Sequence, residues 1–142
     1  MGRLTDVLLA EVIRSSLGGD GQRELVALRD PQIGAALRLM HDRPEEGWTV
    51  ERLASKVSMS RSAFANRFRE VTGQPPMRYL TRHRLALAAR LLRDGNASVW
   101  EVARRTGYQS EAALSRAFKR EFGLSPGRYR RAKPRESSAL LS

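Results

Sequence analysis

Two short segments, beginning at Ser60 and Ser110, carry the side chains best suited to recognising another molecule. In each segment large apolar residues recur every three or four positions, which predicts a helix with one buried face and one exposed face. The exposed faces are mostly polar. They comprise Arg61, Ser62, Ala65, Asn66 and Arg69 in the first segment, and Glu111, Ala112, Ser115, Arg116 and Lys119 in the second. Arginine and asparagine can each form two parallel hydrogen bonds, which suits the donor and acceptor patterns on base edges in a DNA major groove.

The two segments belong to an internal repeat. A shift of 50 residues aligns Ser60 with Ser110, Phe64 with Leu114, Phe68 with Phe118, Gly73 with Gly123, Pro76 with Pro126, Arg78 with Arg128, and Tyr79 with Tyr129. Upstream the shift becomes 49, which aligns Ala54 with Ala103, so the second copy has one extra residue in its turn. Each copy has a short helix, a tight turn, a longer capped helix and a glycine stop, which is the helix-turn-helix pattern. Two ordinary helical hairpins in a bundle are the simpler alternative, and two copies in register favour the helix-turn-helix.

Charge is distributed unevenly along the chain. Residues 1–47 carry 6 basic and 8 acidic side chains, whereas residues 48–142 carry 20 basic and 7 acidic ones, a net charge of +13. The positive excess therefore coincides with the repeat. It indicates an anionic partner, most often nucleic acid or an anionic membrane surface.

The predicted fold is all-α: two helix-turn-helix subdomains joined by a long linker helix, with an N-terminal amphipathic helix. Cap residues, prolines and glycines predict the boundaries of the helices. The helices run from Leu4 to Ser16, from the Asp30-Pro31 cap to about His41, from Val50 to Val57 after Thr49, from Ser60 to Thr72, from Pro76 to about Arg93, from Ser98 to near Gly107, from Ser110 to Phe122, and over a last turn from Ser125 to Tyr129. Residues 1–29 are predicted to form a connector that can carry a dimerisation helix, 30–94 the first subdomain with the linker helix, 95–131 the second subdomain, and 132–142 a disordered tail. The aromatic residues expected in the core or in helix packing are Trp48, Tyr79, Trp100, Tyr108 and Tyr129. Phe122 is expected on the core face of its helix, with Leu114 and Phe118.

Several classes of protein are excluded by composition. The chain has no cysteine, so it has no disulfide, thiol nucleophile or zinc ribbon. Its two histidines, His41 and His83, are too few for a metal cage and are expected to be surface or packing residues. Paired catalytic carboxylates, a glycine-rich phosphate loop and a Ser/His/Asp set are also missing. We therefore expect no enzyme activity, no metal and no cofactor. No apolar run approaches the ~20 residues needed to cross a bilayer, and no secretory leader is present, so we expect a cytoplasmic protein without a membrane partner.

Four segments of the repeat resemble the DNA-binding domain of AraC-family transcription regulators. They are Trp48–Ala54, Met59–Phe64, Gly107–Ser110 and Ser115–Pro126, and the resemblance covers about residues 30–131. It implies a sequence-specific transcription regulator, activator or repressor, that inserts two recognition helices into adjacent major grooves of double-stranded DNA. Such a regulator is expected to act with RNA polymerase. Residues 1–29 and the following Asp30–Gly34 resemble the segment that joins this domain to a cupin-type effector domain, which this chain is expected to lack. The apolar side of the N-terminal helix is expected to pack on the domain's own surface; the alternative is contact with such an effector domain or with a second subunit.

The resemblance also implies individual DNA contacts. The implied base readers are Ser62, Ala65, Asn66, Ala112, Ser115 and Arg116, to which Glu111 is added because its carboxylate can accept a hydrogen bond from cytosine N4. Arg116 suits guanine, Asn66 suits adenine, and the two alanines can touch a thymine methyl group. Asn66 departs from the basic residue that family members often carry there. The predicted phosphate contacts are Ser60, Arg61, Arg69, Arg78, Arg82, Ser110, Lys119, Arg120 and Arg128.

The linker helix from Pro76 to Arg93 predicts how the two copies reach DNA. It is ~27 Å long at 1.5 Å per residue. Successive major-groove faces lie ~34 Å apart, so this spacer suits adjacent grooves if the DNA bends or one subdomain shifts. The alternative function is a non-specific basic module, either architectural on nucleic acid or bound to a membrane surface.

Overall fold

The computed structural model describes residue 27 and residues 29–132, and every regular element in these ranges is a helix, which confirms the predicted all-α class. The helices are α1 (Pro31–Asp42), α2 (Val50–Lys56), α3 (Arg61–Thr72), α4 (Pro76–Asp94), α5 (Val99–Arg105), α6 (Glu111–Phe122) and α7 (126–132). The predicted helix from Leu4 to Ser16 and residues 133–142 of the predicted tail lie outside the described residues.

Five of the helices begin at the polar caps predicted from the sequence. A side-chain oxygen accepts a hydrogen bond from a backbone N–H of the first turn in α1, α2, α3, α5 and α6. The capping residues are Asp30, Thr49, Ser60, Ser98 and Ser110. Gly73 and Gly123 end α3 and α6 with φ of 82° and 79°, a left-handed conformation that glycine adopts without steric cost.

The chain divides into a first unit that ends at His83 and a second unit that begins at Arg84, so the boundary falls within α4. In the first unit, Ile33 and Leu37 of α1 pack with Leu53, Phe64 and Phe68 in one buried core. In the second unit, a separate core is formed by Leu85, Leu92, Val102, Leu114 and Phe118. Burial of each large apolar side chain contributes about 1.5–3 kcal/mol.

An edge-to-face aromatic pair recurs in both cores. The rings of Phe68 and Tyr79 have centroids 5.7 Å apart at an interplanar angle of 75°. The rings of Phe118 and Tyr129 have centroids 5.2 Å apart at 73°. Because these residues align at the 50-residue shift, the repeat is a repeat of packing as well as of sequence.

Arg130 of α7 binds the end of α4. Its Nε donates a 3.1 Å hydrogen bond to the carbonyl oxygen of Leu92, and a terminal nitrogen donates to the carbonyl of Ala97. The last four backbone carbonyl groups of an α-helix receive no hydrogen bond from within the helix. Arg130 therefore supplies a donor to one of them.

Two of the aromatic predictions are wrong. Trp100 is 49% exposed because Val102, which is fully buried, lies on the opposite side of α5. Phe122 is 40% exposed because α6 ends there, although its ring still packs on Phe118 with centroids 4.6 Å apart. Trp48, Tyr79 and Tyr129 are buried as predicted, and Tyr108 is half-buried against the second core.

Candidate nucleic-acid interface

Helix α3 has the predicted division between a buried and an exposed face. Phe64 and Phe68 are fully buried at an i, i+4 spacing, which turns the opposite side of the helix outward. On that side Ser62, Asn66 and Arg69 are exposed, and Ala65 is half-buried. The Ser60 hydroxyl caps the helix by accepting from the backbone N–H of Ala63 at 3.2 Å.

Helix α6 repeats this arrangement with different exposed residues. Leu114 and Phe118 are fully buried, and Ser110 caps the helix by accepting from the N–H of Ala113 at 3.0 Å. The exposed face carries Glu111, Ala112, Arg116 and Lys119, with Ser115 half-buried among them. The structure thus presents polar, hydrogen-bonding side chains along one side of a capped helix in each unit.

The turns before α3 and α6 have the same backbone geometry, and the second turn is one residue longer. The N–H of Met59 donates to the Ala54 carbonyl at 2.9 Å, and the N–H of Tyr108 donates to the Ala103 carbonyl at 2.9 Å. Ser58 and Gly107, at equivalent positions, both have positive φ, 60° and 89°. The extra residue predicted for the second turn is therefore Gln109, between Tyr108 and the Ser110 cap.

The predicted phosphate-binding cations differ in their surroundings. Arg69, Arg78, Lys119, Arg120 and Arg128 are exposed, whereas Arg82 is half-buried. Arg61, the first residue of α3, is exposed and forms an ion pair with Glu51 of α2. A hydrogen bond from its own backbone N–H and the pairing with Arg61 hold the pKa of the Glu51 carboxyl below its usual value, so Glu51 is charged at neutral pH.

An ion pair between the cap of α1 and α3 was not predicted from the sequence; its Asp30 is buried, and the side chain of Arg67 is 51% exposed. Asp30 was recognised as the cap of α1, but its carboxylate also accepts a 2.8 Å hydrogen bond from Nε of Arg67. Burial raises the pKa of the Asp30 carboxyl, but the hydrogen bonds from the Ile33 N–H and from Arg67 outweigh burial and lower it overall. The one signal for this pair in the sequence was a basic residue directly before Phe68 of the apolar stripe.

The described part of the chain offers neither a metal-binding cluster nor a membrane-spanning helix. Residue 27 and residues 29–132 contain no cluster of three or more side chains able to hold a metal ion. Among the same residues, no helix is both long enough and apolar enough to cross a membrane. The rings of the two histidines, His41 and His83, pack against each other with centroids 5.2 Å apart, and His83 is buried.

Comparisons with known proteins agree with this geometry. Residues 53–132 match the family model described as a helix-turn-helix domain. A Streptomyces lividans protein described as an AraC-like transcription regulator is 50% identical over 107 residues, which are 75% of this chain and 35% of that protein. The transcriptional regulator AlkR of Acinetobacter baylyi is 41% identical over 129 residues, 89% of this chain and 42% of its own length. The chain thus spans less than half the length of these two relatives.

A solved structure is similar over nearly its whole length. It is the DNA-binding domain of AdpA, a global transcriptional factor, in complex with a target DNA. The TM-score is 0.67 and the identity 40%, and the similarity covers 72% of this chain and 92% of that one. With the repeated helix-turn-helix geometry described above, these matches show that the chain belongs to the AraC family of transcription regulators and carries its helix-turn-helix DNA-binding domain.

Proposed function

We propose that residues 30–131 bind double-stranded DNA in a sequence-specific manner, with α3 and α6 as the helices that read base edges in the major groove. One observation carries this proposal. The same capped helix, apolar on one side and polar on the other, occurs twice at a spacing of 50 residues within the part of the chain whose net charge is +13. In a helix-turn-helix the second helix enters the major groove, and its outward side chains reach the bases.

The exposed side chains divide into two roles. Base contacts are assigned to Ser62, Ala65, Asn66, Glu111, Ala112, Ser115 and Arg116. Within this set, Arg116 can donate two hydrogen bonds to guanine, and Asn66 can both donate to and accept from adenine. Phosphate contacts are assigned to Ser60, Arg61, Arg69, Arg78, Arg82, Ser110, Lys119, Arg120 and Arg128. Phosphate contacts fix the position of the protein on the duplex without reading sequence.

Because α3 and α6 expose different side chains, the two units would prefer different bases. A single chain would then recognise an asymmetric site made of two half-sites, about one helical turn or ~34 Å apart. The copies are identical at the Ser60 and Ser110 caps and at Phe68 and Phe118 of the cores. The difference at the exposed positions supports two distinct half-sites rather than a palindrome.

The relatives are longer proteins that contain a domain similar to this one. As in a regulator of that kind, the domain would regulate transcription as an activator or a repressor. RNA polymerase and an effector domain or a second subunit are the partners that such a role implies. The contact with the effector domain or second subunit would be made by the N-terminal segment, residues 1–29. The protein would act in the bacterial cytoplasm, where the chromosome lies.

Selection from a random DNA library tests the proposal. The full chain is incubated with a randomised duplex at two salt concentrations, and bound DNA is sequenced over several rounds. We expect enrichment of one asymmetric site with two half-sites, and an affinity that falls steeply with salt because counterions are released from the phosphates.

Binding without enrichment of any sequence would favour the alternative, a non-specific architectural module. Equal affinity for anionic lipid vesicles and for DNA would instead point to a membrane surface. Either result would overturn the proposed function.

A further inference from the structure

Asp30 is the buried junction between α1 and the first helix-turn-helix. Only 8% of the surface of Asp30 is exposed to solvent. One carboxylate oxygen, Oδ1, accepts hydrogen bonds from the backbone N–H groups of Gln32 and Ile33 at 3.1 and 2.9 Å. The other oxygen, Oδ2, accepts from Nε of Arg67 at 2.8 Å and also contacts a terminal nitrogen of the same guanidinium. Asp30 therefore uses one oxygen to cap α1 and the other to bind α3.

Arg67 lies in the middle of α3, directly after Asn66, which is assigned to base reading. The two side chains leave the helix about 100° apart, so fixing the direction of one constrains the direction of the other. Charge-assisted hydrogen bonds from a guanidinium are directional, because its donors lie in one plane. The contact with Asp30 therefore restricts both the position and the rotation of α3.

A second hydrogen bond from α1 reaches the other helix of the motif. Nε2 of Gln32 donates to the carbonyl of Val57 at 2.9 Å. Val57 is the residue that ends α2. The first turn of α1 and its cap thus bind both helices of the first helix-turn-helix, one at its end and one at its middle.

The second unit has a different residue at the matching position. The 50-residue shift aligns Arg67 with Ala117, which has no charge and packs against the second core. A pair of this kind is therefore not available to α6. Any effect of the Asp30–Arg67 pair on base reading must be confined to α3, and the chain contains its own internal reference.

We propose that Asp30 and Arg67 form a positioning pair that sets the orientation of α3, so that discrimination between bases in the half-site read by α3 depends on it. This inference rests on the proposed function. Neither residue needs to touch DNA. Hydrogen bonds weaken steeply as their angle departs from linearity. A small rotation of α3 would therefore weaken the two hydrogen bonds between Asn66 and its base before it affected the phosphate contacts.

The experiment compares base discrimination at the two half-sites. Affinities are measured by fluorescence anisotropy for the selected site, for the site with one changed base in the α3 half-site, and for the site with one changed base in the α6 half-site. The variants are Arg67→Ala, Asp30→Asn and the double variant. Asparagine is as good a helix cap as aspartate, so Asp30→Asn keeps the cap of α1 and removes the charged partner of Arg67. Lys56→Ala, in an exposed position of α2, is the control for loss of one positive charge.

We expect discrimination at the α3 half-site to fall about tenfold in Arg67→Ala and in Asp30→Asn, the range that one lost bidentate contact covers. Discrimination at the α6 half-site should stay within about twofold of the wild type. The double variant should be no worse than either single variant, because both remove the same interaction. Lys56→Ala should weaken binding to all three duplexes equally.

Circular dichroism at the assay temperature separates positioning from folding. If Arg67→Ala does not fold, Arg67→Lys and Asp30→Asn provide the comparison. Folded variants that keep wild-type discrimination at the α3 half-site, or that lose it equally at both half-sites, would overturn the positioning pair while leaving the proposed function intact. Failure of the wild-type chain to select any sequence would overturn the proposed function, and the positioning pair with it.

Discussion

Nε of Arg61 donates a 2.8 Å hydrogen bond to Oε2 of Glu51, which joins the first residue of α3 to the second residue of α2. Both side chains are well exposed, and Arg61 is one of the residues proposed to contact a DNA phosphate. At the matching positions the second unit has Glu111 and Trp100 and cannot form this pair. In the first unit, therefore, Arg61, a predicted phosphate-binding cation, already forms an ion pair with a carboxylate of the protein.

Replacing Glu51 by glutamine should release Arg61 for DNA. Exposed ion pairs contribute little, so the expected gain in affinity is about two- to fivefold, the same for every DNA sequence. The salt dependence of binding should become steeper by about one counterion, since one more phosphate is neutralised. Anisotropy titrations at several salt concentrations measure both quantities.

Glu101→Gln is the matched control, because it removes the same charge from an exposed pair with Arg104 in the second unit. Equal gains in the two variants would mean that total charge, and not the release of Arg61, raises the affinity.

Arg116 and Arg128 should respond differently to replacement by alanine. Arg116→Ala should cost about 1–3 kcal/mol on the preferred site and relax the base preference at one position, because one bidentate contact is lost. Arg128→Ala should weaken binding to all sequences about equally and lower the salt slope by about one. Repeating the library selection with each variant checks the assignment, which fails if both variants behave alike.

Gly107 should tolerate substitution poorly, unlike Gly127. Gly107 has a φ of 89°, a region that residues with a Cβ rarely adopt, so Gly107→Ala should destabilise the second unit by about 1 kcal/mol or more. Gly127 lies in α7, and a Cβ there would meet only the end of the Arg131 side chain at 3.7 Å. Gly127→Ala should therefore stabilise the chain by about 0.5–1 kcal/mol, the difference in helix propensity. Urea unfolding measures the change in free energy of unfolding for each variant relative to the wild type. A loss of stability in both variants would contradict these expectations.

The stabilising effect of Asp30 should disappear in acid. Hydrogen bonds from the Ile33 N–H and from Arg67 outweigh the opposing effect of burial and hold the pKa of the folded-state carboxyl below its ordinary value of 3.8. A lowered pKa means that the charged form stabilises the fold above the ordinary value, and that this contribution is lost as the pH falls through the folded-state pKa.

Comparison of the wild type with Asp30→Asn isolates this contribution. Their difference in free energy of unfolding should stay constant from about pH 7 to about pH 5 and shrink below about pH 4. A difference that grows on acidification would show that the pKa is raised rather than lowered.

Sequence alone predicted the helices, the caps and the repeat because their signals are local. Ser60, Ser110, Gly73 and Gly123 act on residues within one turn of themselves, and the spacing of Phe64 and Phe68 alone defines which face of α3 is buried. The positions of Ser62, Asn66 and Arg116 on exposed faces follow from the same spacing, although their contacts with bases stay predictions.

Interactions between distant parts of the chain could not be predicted in this way. The cap sequence Asp30-Pro31 accounts for one carboxylate oxygen, and nothing near it specifies that the other binds a residue 37 positions later. The sequence predicts Trp100 in the core or in helix packing, but the register of α5 on its neighbours leaves it 49% exposed. In both cases tertiary packing selected one arrangement among several that local pattern allowed.

The hydrogen bonds of Arg130 with the carbonyls of Leu92 and Ala97 bear on where a minimal recombinant fragment can be cut. A fragment ending at Gly123 would keep both α3 and α6. It would nevertheless lose Tyr129 from the second core and the donor that Arg130 supplies to the end of α4. The working boundary for domain swaps, fusions and crystallisation fragments therefore lies beyond Arg130, seven residues past Gly123.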